Sequence, residues 1–80
     1  MDSEHAWRVV QVAFKASAEL QELLHFLKQH CAPEDYKDYS LAIAASIDVI
    51  NVQLLDRALT AHPKLRTKIE SDLARYGRIT

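Results

Sequence analysis

The chain reads as an all-α fold: an antiparallel helical hairpin of two long helices and a short C-terminal third helix, dimerising into a helical bundle. Three observations carry that reading. Glycine occurs once and proline twice in eighty residues, so the strongest helix-breaking signals fall only at Pro33, Pro63 and Gly77. No Asn-Gly or Asp-Gly pair marks a β-hairpin turn. Apolar residues recur at three- and four-residue intervals within the segments so delimited, 3–31, 33–61 and 63–76, which together form one domain over 1–80.

The first helix starts near Asp2 or Ser3, either of which can accept a hydrogen bond as N-cap, and Glu4 in its first turn suits the helix dipole. Its inner face reads Ala6, Val9, Val10, Ala13, Ala16, Leu20, Leu23, Leu24, Leu27 and Cys31. Arg8, Gln11, Lys15, Glu19, Glu22 and Gln29 make the opposite, solvated face. Trp7 and Phe14 lie on a flank between the two. Aromatic residues at helical spacing are core in most cases, which would put this flank under the third helix. The alternative is an aromatic ridge for a partner, since large aromatics dominate interface hot spots.

Pro33 followed by Glu34 and Asp35 is a first-turn signature for the second helix. The link before it is so short that helices one and two must be antiparallel neighbours. Within helix two, Leu41–Leu59 is apolar at thirteen of nineteen positions. On a straight wheel of about 100° per residue, Ile43, Ile47, Ile50 and Leu54 share one side. Leu41, Ala45, Val52 and Leu59 lie nearly opposite. A helix apolar on both sides needs neighbours on both sides. One partner helix covers one side, so Leu41, Ala45, Asp48, Val52, Leu55 and Leu59 are expected in a self-interface with a second copy. Asp48 and Asn51 fall at the edge of the apolar surface. Either they face solvent, or they make a polar contact that sets register across the dimer, as a buried Asn does in coiled coils.

The third helix carries one stripe, Leu65, Ile69, Leu73 and Tyr76, and Gly77 fits the left-handed position that stops helices. At about four turns it can cap only the open end of the hairpin, near Trp7 and Val10.

Size and composition narrow the functional classes. A chain of eighty residues has a marginal core unless something supplements it. Cys31 is the single cysteine, so no disulfide can form within the chain. Oligomerisation is the remaining common remedy. The acidic, polar start MDSEHAWR lacks the basic and apolar regions of an export signal, giving a cytoplasmic expectation. Asp48, Asn51, Asp56 and Arg57 interrupt the richest apolar stretch, so no membrane is expected as a partner. Ten basic residues against eleven acidic ones leave a net charge of −1, which advertises no polyanion.

Candidate chemistry is sparse. Glu22 and His25 form an i, i+3 pair of the kind that di-metal bundles project inward, but such a site needs carboxylates from the other helices too. His5 with His62, and His30 with Cys31, supply two groups each, short of a zinc site. Cys31 ends a helix rather than starting one and has no evident activating base, so it reads as a small apolar residue. Five of the ten basic residues fall after Pro63, and Lys64, Lys68, Arg75 and Arg78 could track phosphates, although Glu70 and Asp72 interrupt the field. The expectation is therefore a homodimeric interaction module of adaptor, small-chaperone or toxin-neutralising type, not an enzyme, with no cofactor and no catalytic residue, whose second partner is another protein. A nucleic-acid-binding regulator using the third helix, and a metal-binding bundle around Glu22 and His25, are the alternatives.

Overall fold

The computed structural model describes residues 1–79 and is all-helical, with no strand among them. Helix α1 spans Ser3–His30. Helix α2 is the continuous run Pro33–Ala61, built from an α segment Pro33–Val49, a π segment Ile50–Asp56 and a closing α turn Arg57–Ala61. Helix α3 spans Leu65–Tyr76. The molecule measures 44 × 26 × 14 Å, its long dimension matching the roughly 42 Å of a 28-residue helix.

Local chemistry sets each boundary. Asp2 is extended, and its carboxylate accepts the His5 N–H at 2.8 Å, which satisfies one of the unpaired donors of the first turn. That hydrogen bond holds the Asp2 carboxyl below the usual carboxylate range. At the other end of α1, Cys31 and Ala32 are extended, as a residue before proline must be, and Pro33 opens α2. The same rule acts at His62, which leaves the helical region at φ −133° before Pro63. The third helix starts at Leu65 rather than at Pro63, after a turn closed by the Leu65 and Arg66 N–H groups donating to the carbonyls of His62 and Pro63. Gly77 ends it at φ 69°, with its N–H donating to the Leu73 carbonyl.

The core lies where all three helices meet. Ala6, Trp7 and Val10 of α1, Ala58 and Leu59 of α2, and Leu65 and Ile69 of α3 form one buried cluster, with Val9, Phe14, Leu55 and Ile79 packed against it. The start of α1 therefore touches the end of α2, and the His62 ring nitrogen Nε2 approaches the Met1 carbonyl to 2.9 Å. Small residues permit that approach: Ala6, Ala13 and Ala58 are all buried. Away from this end only α1 and α2 remain, and among the described residues only Ala13 and Ile43 are buried outside the cluster. Leu23, expected on the inner face of α1, is 44% exposed, because nothing caps that half of the helix pair.

One expectation fails for an instructive reason. A straight wheel puts Leu54 inside and Leu59 outside, whereas Leu59 is buried and Leu54 is 44% exposed. The π segment between residues 50 and 56 accounts for both. A π turn acts as an extra residue in an α-helix and sets everything after it back by about 100°. With that one-residue offset, Ile43, Ile47, Leu55, Ala58 and Leu59 fall within one stripe of about 100°, and Leu54 moves off its edge. The hydroxyl of Ser46 donates to the Ala42 carbonyl at 2.9 Å, one turn ahead of the π segment. Back-bonding of that kind competes with the backbone ladder and bends helices.

Candidate functional site

Two surfaces stand out. The first is the outer face of α2, where Leu41, Val49 and Val52 are 64%, 59% and 58% exposed. With Ala45 and Asp48, both exposed, they form a continuous i, i+4, i+7, i+8, i+11 stripe. Of the six positions expected in a self-interface, Leu41, Ala45, Asp48 and Val52 are on this face. Leu55 and Leu59 are not: Leu55 is half-buried against the core and Leu59 is inside it, turned there by the π segment. Val49 belongs to the stripe and was missed, although its spacing of four from Ala45 and three from Val52 is the signal that finds it.

The helix bearing this face has another property. Pro33–Ala61 is 29 residues long and contains an 18-residue stretch apolar enough, by length and composition alone, to cross a membrane, and almost none of that stretch is buried. Its interior polar residues nevertheless remain: Asp48 on the outer stripe, and Asn51 facing a niche that it shares with Ser17 and Gln21 of α1. The Ser17 hydroxyl there is buried with no hydrogen-bond partner among the described residues.

The second surface is a groove of about 650 Å³ between the first half of α1 and the chain that follows α3. Phe14 is half-buried in its floor, and Arg8, Lys15 and Arg78 line it. Gly77 makes this groove possible, because its left-handed backbone turns Arg78 and Ile79 back towards α1.

The remaining candidates are dispersed. Trp7 is 8% exposed, so it is a core residue and offers no ridge to a partner; the Lys68 ammonium lies 4.3 Å from its ring centroid. Arg75 stands 5.9 Å from the Tyr76 ring, Lys64 is exposed beside His62 and Pro63, and Arg78 lines the groove. The four cations of the expected phosphate track thus face different surroundings. Glu22 and His25 are exposed on α1, and no three His, Cys, Asp or Glu residues gather in metal-binding geometry among the described residues. His5 sits 3.4 Å from the Asp2 carboxylate and His30 stacks on Phe26 with centroids 4.5 Å apart, so neither pairs as a metal site would require. Cys31 is a half-buried C-cap whose N–H donates to the Leu27 carbonyl.

No protein-family model, no curated protein and no solved structure matches this chain.

Proposed function

We propose that this chain is an antiparallel helical hairpin acting in the cytoplasm as a small protein–protein interaction module without a catalytic step of its own, and that it pairs with a second copy through the outer face of α2. The observation that carries this reading is the exposed stripe of Leu41, Val49 and Val52. Soluble monomers seldom leave a contiguous apolar patch of large side chains in water. Ala45 in the middle of the stripe lets two helices approach closely. Two hairpins joined through α2 make a four-helix core, which supplements the few buried residues of the single chain.

A second reading has one observation in its favour: the length and apolar character of Pro33–Ala61 suit a bilayer. Against it, Asp48, Asp56 and Arg57 would lie within the spanning stretch, and each charge near the bilayer centre costs about 2.5–3.5 kcal/mol on insertion scales.

The test is solution mass by light scattering over a dilution series, for the natural chain and for Val52→Glu. The expected result is a dimer that becomes a monomer in the variant with its helix content intact. A monomer at every concentration would overturn the self-pairing. Flotation of the natural chain with lipid vesicles, abolished by the same variant, would favour the membrane.

A further inference from the structure

We propose that the groove between α1 and the segment after α3 is a binding site for a soluble amphipathic carboxylate of the medium-chain fatty-acid type. Its carboxylate is held by Arg8 and Arg78, and its tail lies along Val12, Phe14 and Leu73 towards Lys15. The inference does not depend on the pairing of α2, which uses a different surface.

Charge complementarity selects the ligand class. Among the described residues three cationic side chains and no carboxylate line the groove, in a chain whose net charge is −1. The cations are therefore concentrated locally, where the overall field is close to neutral. Between them the walls are apolar and open to the ligand: Val12 is 46% and Leu73 45% exposed, above a half-buried Phe14. A purely polar anion would leave those surfaces in water, and a neutral hydrocarbon would leave the cations unanswered. A molecule with one anionic end and one apolar tail satisfies both.

Dimensions select a small ligand over a protein. The volume, about 650 Å³, falls inside the range of roughly 300–1,000 Å³ typical of small-molecule sites. Along α1 the groove runs from Arg8 to Ala18, ten residues or about 15 Å. That length suits an extended medium-chain tail and is short for a protein interface, which needs about 800 Å² from each partner. The guanidinium groups of Arg8 and Arg78 come from opposite banks, and a planar guanidinium matches a carboxylate with two parallel hydrogen bonds.

The experiment is a titration of the isotope-labelled chain with decanoate below its micelle concentration, followed by amide chemical shifts, with decanol and acetate as separate titrants. The Arg8→Gln/Arg78→Gln double variant is titrated in parallel after its native spectrum has been checked. Saturable shifts centred on Val12, Ala18, Leu73 and Ile79 are expected with decanoate. Affinity should fall at least about tenfold for decanol and for the double variant, because each charge-assisted hydrogen bond is worth a factor of ten or more. Acetate should bind too weakly to saturate. Shifts centred instead on Leu41, Val49 and Val52, equal affinity for decanol, an unaffected double variant, or no saturable shift at all would each overturn the assignment.

Discussion

The Lys68 ammonium lies 4.3 Å from the centroid of the Trp7 ring, so the one tryptophan of the chain is sealed into the core by a lysine of the third helix. Burial and cation–π attraction act together there, with different weights. Trp7→Ala should remove about 3–5 kcal/mol of stability by deleting the largest core side chain. Lys68→Gln should remove only about 0.5–1 kcal/mol, the value of a cation–π contact at an accessible site. Urea unfolding followed by the Trp7 emission measures the second directly, and circular dichroism measures both.

The π segment makes an unusual prediction about deletion. Removing one residue from an uninterrupted helix rotates all that follows by about 100° and turns the buried face outward. Deleting Glu19 from α1 should do so, carrying Leu20, Leu24 and Leu27 out of their half-buried positions. Deleting Gln53 should not, because it removes the extra residue that the π segment accommodates and leaves Leu55, Ala58 and Leu59 facing inward. The expected loss is within about 1 kcal/mol, chiefly the exposed hydrogen bond from Arg57 to Gln53. A melt that collapses equally for both deletions would show that the π segment does not set the register.

Point substitutions separate the two registers more simply. Leu59→Ala should cost about 2–5 kcal/mol as a core truncation, whereas Leu54→Ala should stay within about 1 kcal/mol. A straight α-helix requires the opposite order. Equilibrium unfolding of the two variants decides between them.

These contrasts show what the amino-acid order disclosed and where it stopped. The three helices were legible because Pro33, Pro63 and Gly77 act locally, through a fixed φ, a restricted preceding residue and a left-handed turn. The packing of α3 over Trp7 followed from its length and stripe. The facing of α2 after residue 50 was not legible, since a wheel extrapolated over sixteen residues from Ile43 carries any local change of pitch into every later position. Nor was the groove. Arg8 and Lys15 looked like part of an ordinary solvated face, and Arg78 like the tail of a basic stripe, until a single turn at Gly77 brought the distant segments together.

The N-cap predicts how stability depends on pH at the acid end. Asp2 is held below its ordinary value of 3.8 chiefly by the His5 N–H bond, which outweighs an opposing desolvation, with the nearby His5 side chain adding a smaller lowering effect. A depressed carboxyl stabilises the folded state fully above its unfolded pKa, and that contribution disappears as pH falls through the lower folded value. The melting-temperature gap between the natural chain and Asp2→Ala should therefore be constant between pH 7 and about 5 and shrink below 3.8. Thermal melts of both proteins across that range check it, and a gap that widens on acidification would contradict the cap.

Gly77 links stability to the proposed ligand. Its φ of 69° is a conformation that a side chain resists, although nothing lies within 4 Å of where a Cβ would stand. Gly77→Ala therefore meets no clash, and its penalty is the left-handed backbone alone, about 1 kcal/mol. Asn tolerates that conformation better than Ala, so Gly77→Asn should recover most of the loss. Chain direction beyond the turn matters more than the penalty itself, because Arg78 and Ile79 reach the groove only through it. Gly77→Ala should thus weaken decanoate binding and Gly77→Asn restore it, with both variants folded. Parallel melts and titrations test this: loss of binding that followed melting temperature rather than the turn conformation would mean that Gly77 acts on stability alone.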